Sequence, residues 1–168
     1  EAHYRLVSYL TNLFIADYAY LVRWDDANRQ AFLMTSTKAL ENTSFPIPLK
    51  PEEANTIETV VHSGHSMVIK DVQESNYIIN PSPFKEFSHR KKSALIIPLT
   101  TKDYCFGAVT LAFDSPRSFT PEELAYVELA SNQIAIALRT VQQQLEIETQ
   151  FKEAKALANI ERALSESE

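Results

Sequence analysis

The stretches Ala94-Leu95-Ile96-Ile97-Pro98-Leu99 and Cys105-Phe106-Gly107-Ala108-Val109-Thr110-Leu111-Ala112-Phe113 decide the fold. Each is an apolar run of strand length, and the polar Thr101-Lys102-Asp103 lies between them, so Ser93–Leu99 and Cys105–Phe113 read as a hairpin. Downstream, Ser118-Phe119-Thr120-Pro121-Glu122-Glu123-Leu124 starts a helix. Thr120 is a capping residue, Pro121 takes the first helical position, and Glu123 is placed to complete a capping box. From Glu122 to Glu168 there are 47 residues with neither proline nor glycine, rich in strong helix formers. A continuous helix of that length would run roughly 70 Å, and such a helix must find a partner. Ala130, Ile134, Ala137 and Leu138 form a stripe that would lie on the first helix and on the back of the sheet.

Upstream, Met67-Val68-Ile69 reads as a short strand, and Pro51-Glu52-Glu53 opens a helix whose apolar face is Ile57, Val60 and Val61. Gly64 stops that helix. Asp17–Trp24 and Gln30–Thr37 flank the polar Asp25-Asp26-Ala27-Asn28 and predict a first hairpin. Tyr4, Val7, Leu10, Leu13 and Phe14 recur at helical spacing and predict an amphipathic N-terminal helix. Between Gln73 and Lys92 the chain is polar and broken by proline, yet it carries Tyr77, Ile78, Ile79, Phe84 and Phe87. So many large apolar groups are costly to expose, so this stretch is expected to fold back as a crossover loop, with a short helix near Pro83–Ser88. The fold class is α+β: an antiparallel sheet of five or six strands, helices on both faces and a long C-terminal helix.

The 168 residues carry a net charge of −6 without any dominant block of charge, which argues against a nucleic-acid partner. Two glycines, Gly64 and Gly107, are too few for a dinucleotide turn or a phosphate-binding loop. One cysteine, Cys105, excludes an internal disulfide, a Cys-x-x-Cys pair and a multi-thiolate zinc site. No apolar run approaches the ~20 residues needed to cross a bilayer, and no signal peptide opens the chain, so no membrane contact and a cytoplasmic setting are expected. A chain opening on Glu1 rather than methionine is expected to be a piece of a longer protein.

The residues quoted from 94 to 138, above all FTPEEL (119–124) and ASNQIAIAL (130–138), resemble the closing strands and helix of GAF domains. These are small-molecule sensing modules of phosphodiesterases, phytochromes and sensor kinases. The resemblance covers residues 4–141, and Met67–Val72 is similar to the strand after the family's second helix. It implies a GAF domain over 1–141 and, over 142–168, a signalling-helix linker to an output domain. It also implies a homodimer through helices 4–14 and 121–164. The parent would be a sensor histidine kinase, and the residues present here would carry no enzymatic activity.

Within the family the residues narrow the function. The stretch Asn80–Phe84 lacks the cysteine that a bilin thioether needs. Phe119–Glu123 echoes only half of the cyclic-nucleotide signature, Leu124 replaces its last acid, and no upstream Asn-Lys pair exists. The methionine sulfoxide reductases of this fold need at least two cysteines. The family places its ligand between sheet and crossover loop, which implicates Tyr77, Ile79, Phe84 and Phe87 from the loop and Trp24 and Ile96 from the sheet. Two other readings stay open: a ligand-free dimerisation module, and a haem sensor with Cys105 or His65 as iron ligand. The ligand itself is unknown. The basic run His89-Arg90-Lys91-Lys92 reads as a solvated loop rather than an anion site. Past Val141 the apolar residues Leu145, Phe151, Leu157, Ile160 and Leu164 fit no single heptad frame, which implies a stutter, and Glu148 and Lys152 are spaced for an i,i+4 pair.

Overall fold

A computed structural model describes residues 2–37, 46–47, 56–72 and 92–166. Helix α1 is Ala2–Phe14; β1 (Tyr18–Asp25) and β2 (Gln30–Ser36) form the first hairpin; β3 is Pro46–Ile47. Helix α2 is Thr56–Ser63, followed by β4 (Met67–Ile69), β5 (Ser93–Thr101), β6 (Tyr104–Phe113) and helix α3 (Pro121–Ser165). The start expected at Pro51 and the short helix at Pro83–Ser88 lie outside the described residues. The strands form one antiparallel six-stranded sheet in the order β3-β2-β1-β6-β5-β4. The two-residue β3 pairs Pro46 with Phe32 at the sheet edge, where proline's missing N–H does no harm.

Side chains alternate across a strand, and here the alternation separates two cores. Tyr18, Tyr20, Val22 and Trp24 of β1 share one face with Ala31, Leu33, Ala94, Ile96, Ala108 and Ala112. Ile57, Val60 and Val61 of α2 cover this face, as their spacing predicted. The other face presents Leu21, Ile97, Val109 and Leu111, all buried, and takes α1 and the first part of α3. Within α1, Val7, Leu10 and Phe14 are buried, but Tyr4 and Leu13 are exposed, so the apolar stripe is narrower than the sequence suggested. The buried seam of α3 is Val127, Ser131 and Ala135. The expected stripe is displaced by one position: Ala130, Ile134 and Leu138 are only half-buried, and Ala137 is exposed.

Hydrogen bonds join the sheet to the helix that follows it. Ser93 Oγ donates to the Ser115 carbonyl at 2.9 Å and accepts from the Arg117 N–H at 3.1 Å. The Arg117 guanidinium donates to the Phe14 carbonyl at the end of α1 and lies 4.9 Å and 5.0 Å over the rings of Phe113 and Phe119. The capping box forms as expected: Glu123 N–H donates to Thr120 Oγ1 at 3.2 Å, and Thr120 N–H donates to Glu123 Oε2 at 2.8 Å. Gly107, with φ +151°, opposes β1 so closely that a Cβ would stand 2.0 Å from the Val22 carbonyl oxygen.

The chain divides into two compact units, residues 1–135 and 136–168, and α3 belongs to both. In the second unit every described residue from Thr140 onward is exposed, including Val141, Leu145, Phe151, Leu157, Ile160 and Leu164. Side-chain pairs at i,i+4 there include Gln142–Glu146 at 3.1 Å and Arg162–Glu166 at 3.9 Å. Glu148 and Lys152 do not form the expected pair; on a fully solvated face the attraction barely exceeds the entropy of holding two long side chains.

The end of α1 is a Schellman turn, in which Ala16 N–H reaches the Thr11 carbonyl and Ile15 N–H the Asn12 carbonyl. It places Ile15, a β-branched residue 81% exposed, at φ +52°. Ile15→Gly therefore relieves backbone strain and sacrifices almost no packing. We expect it to stabilise the protein by ~1 kcal/mol, read as a rise in Tm of roughly 2–4 °C.

Candidate functional site

The α2-covered face of the sheet is the candidate site, because central residues of β6 there are small. Ala108, Thr110 and Ala112 line up along β6. Across the register, Val22, Tyr20 and Tyr18 oppose them on β1, and Ile96 and Ala94 oppose Thr110 and Ala112 on β5. The result is a trough of short side chains with an aromatic wall, the rings of Tyr18 and Tyr20 being 5.8 Å apart. Burial pushes the Tyr18 phenol up to about 12, against a smaller opposing effect of Ser36, so it is neutral throughout the physiological range. None of the clustered side chains on this face is charged.

The charged groups at the rim pair with one another. Asp26, in the β1–β2 turn, accepts a hydrogen bond from Trp24 Nε1 at 3.0 Å and meets His62 Nε2 of α2 at 2.6 Å. Three residues further along the hairpin, Arg29 Nε and Nη2 donate to the two carboxylate oxygens of Glu58, each at 2.7 Å. This fork-on-fork geometry fixes orientation as well as adding attraction. The turn is thereby strapped to α2, which holds that helix over the trough. The bond from Trp24, and after it the bond from His62, holds the Asp26 carboxyl below its ordinary range. Glu58 is lowered chiefly by its hydrogen bond from Arg29.

Of the residues named from sequence, Trp24 and Ile96 both face the trough side of the sheet, with Ile96 directly opposite Thr110. The Trp24 N–H is already committed to Asp26, so this side chain offers a ligand only its ring. Tyr77, Ile79, Phe84 and Phe87 lie outside the described residues. The two iron-ligand candidates lie outside the buried cluster of that face. His65 lies in the turn before β4 with its Nδ1 3.5 Å from Glu128 Oε1 of α3, and Ser66 N–H donates to the same oxygen at 3.1 Å. Cys105 is exposed, and its thiol is pushed up by desolvation and then by the charge of Asp26, which disfavours the ligating thiolate. Among the described residues no group of three or more His, Cys, Asp or Glu is arranged to hold a metal.

Sequence reasoning missed Thr110. It is completely buried, and its Oγ1 has no hydrogen-bond partner. In a strand, threonine reads simply as a β-branched strand former, so nothing but the register could reveal it. On the opposite face an apolar groove of about 200 Å³ lies between α1 (Tyr9, Leu13) and α3 (Tyr126, Ile134).

The GAF domain family model matches residues 2–138. Similar solved structures include the GAF domain of a phosphoenolpyruvate-protein phosphotransferase from Coxiella burnetii, with 20% identity, 85% of this chain and 83% of that one covered, and a TM-score of 0.67. The GAF domain of a two-component sensor histidine kinase from Bacillus halodurans has 12% identity, coverage of 83% and 94%, and a TM-score of 0.61. A free methionine-R-sulfoxide reductase from Neisseria meningitidis, solved with its substrate, has 15% identity, coverage of 84% and 78%, and a TM-score of 0.63. At such identities the likeness shows the fold. No protein of curated function matches the sequence.

The rim makes a prediction about acid. Because the folded pKa of Asp26 lies below its ordinary value of 3.8, its contribution to stability is fully present above about pH 4 and is lost as pH falls through the lowered value. Carboxyl carbon NMR should show Asp26 titrating below 3.8, and Trp24→Phe should raise it more than His62→Ala. The reverse order would make the ion pair the dominant contact.

Proposed function

The chain belongs to the GAF domain family, and we propose that it is a regulatory, small-molecule-sensing GAF domain of a cytoplasmic multidomain signalling protein, of the sensor histidine kinase type. The observation that carries this reading is the continuity of α3. Its turns through Ala135 are built into the sensing unit at Val127, Ser131 and Ala135. From Ile136 onward the same helix exposes large apolar side chains at a density that favours a partner helix. We assign that partner to a second copy of the chain, giving a two-fold dimer that also uses α1.

The mechanism follows from the contacts at the base of the sheet. Val72 N–H donates to the Lys92 carbonyl and Lys92 N–H to the Phe113 carbonyl, so both ends of the segment between Val72 and Lys92 are tied to the end of β6. Ser93 and Arg117 continue the connection to the start of α3 and the end of α1. A ligand held on the α2-covered face shifts this junction by as much as it prefers one arrangement of α3 over the other. The dimeric helix delivers that shift to an output module. A regulatory rather than catalytic role is supported by the single cysteine and its raised thiol pKa. No helix among the described residues is long and apolar enough to cross a membrane.

One observation favours the ligand-free alternative: the side chains of the α2-covered core are already closed to solvent. Native mass spectrometry separates the two, since a sensor retains a small molecule and a pure dimerisation module does not.

The dimer is tested by single cysteines placed in turn at Val141, Leu145, Phe151 and Leu157 in a Cys105→Ser background. Sedimentation should give twice the chain mass, and oxidation should give cross-links whose yield rises and falls with helical period. Leu145→Lys combined with Phe151→Lys should shift the equilibrium toward monomer by at least tenfold. A monomer without cross-links at any of the four positions would refute the dimeric output helix.

A further inference from the structure

Thr110 sits midway along β6, the strand hydrogen-bonded to both β1 and β5. Its neighbours two residues away on the same face are Ala108 and Ala112; across the sheet it meets Tyr20 on one side and Ile96 on the other. Around it, therefore, are methyl groups, an aromatic wall and an aliphatic wall, and at its centre is one hydroxyl with nothing to bond. A buried hydroxyl left unmet costs about 1–3 kcal/mol, whereas valine has the same shape without that penalty. At Thr110 the interior thus tolerates a polar atom where a purely structural side chain would be apolar.

We propose that the Ala108–Thr110–Ala112 trough receives a flat, uncharged ligand whose single polar group hydrogen-bonds to Thr110 Oγ1. This rests on the sensing function proposed above and specifies the chemistry of its ligand. Flatness follows from the short Ala108 and Ala112 side chains beside the Tyr18 and Tyr20 rings, a surface suited to stacking a ring rather than to gripping a branched group. Neutrality follows from the described neighbours: Ala108, Ala112, Tyr20 and Ile96 carry no charge, and the rim charges of Asp26, Arg29, Glu58 and His62 are satisfied among themselves. Among the described residues a buried ionic ligand would find no counter-charge. A threonine hydroxyl both donates and accepts, so the polar group is either an N–H or O–H donor or a carbonyl acceptor. Because Thr110 is shut off from water, the ligand reaches it by displacing side chains packed over the trough, and satisfying the unmet hydroxyl lowers the cost of that exchange.

The test uses three flat probes of one size: indole, a donor; 1-indanone, an acceptor; and indene, which has no polar group. Affinities are measured by ligand-observed NMR on the wild-type chain, Thr110→Val and Thr110→Ser. Wild type should bind indole or 1-indanone at least tenfold more tightly than indene. Thr110→Ser should keep that preference, while Thr110→Val should erase it and leave indene binding unchanged. Equal affinity of the three probes for wild type, or a preference that survives Thr110→Val, overturns the assignment of Thr110 while the trough stands as a site. Failure of all three probes to bind wild type overturns the trough as a site for flat, uncharged ligands, whereas the sensing reading stands or falls separately on whether native mass spectrometry finds a retained small molecule. Thr110→Val loses no hydrogen bond and should melt no lower than wild type; should it not fold, the selectivity of wild type and its retention in Thr110→Ser decide the matter.

Discussion

Burial of both faces of β1, β5 and β6 is the constraint on which the rest of the structure depends. A sheet that is apolar on one side needs one cover; these three strands are closed on both sides and need two. The chain supplies α2 for one face and α1 with the first turns of α3 for the other. That division also separates the two tasks proposed for the domain. The face under α2 carries the short side chains and the unmet hydroxyl, and the opposite face carries the helix that leaves the unit. The two faces share the same strands, so whatever displaces the β6 backbone is felt on both.

Much of this was legible in the sequence wherever the partners are near in the chain. Both hairpins, the left-handed stop at Gly64 and the Thr120–Glu123 capping box are decided within a few residues, and each forms where expected. Legibility fell where a distant element chooses between equivalent local options. In α3 the stripe at 130, 134 and 137–138 and the seam at 127, 131 and 135 both have helical spacing, and only the sheet beneath decides which is buried. Tyr4 and Leu13 have the apolarity of Val7 and Leu10 but fall beyond the reach of the sheet. The edge strand β3 gave no sequence signal, since the pair Pro46-Ile47 is too short to show alternation.

The candidate site was legible in outline and not in detail. Trp24 and Ile96 face the side that was expected, but the Asp26 bond that occupies the Trp24 N–H joins the indole to a turn whose conformation the composition does not specify. The straps from Arg29 to Glu58 and from Asp26 to His62 span 29 and 36 residues, and no local pattern announces them. Thr110 is the clearest instance: its identity suits any strand, and its significance comes only from the absence of a partner for its hydroxyl in three dimensions.

In this proposal, occupancy of the α2-covered face and the state of the α3 start are one coupled event. Hydrogen exchange tests it directly, comparing the protein as isolated with the same protein refolded after its bound small molecules have been extracted. Extraction is expected to lower protection together in β6, around Thr110, and in the first turns of α3, around Pro121–Val127. Exchange that changes in β6 while the start of α3 stays as protected as before, or that changes at neither place, would contradict it.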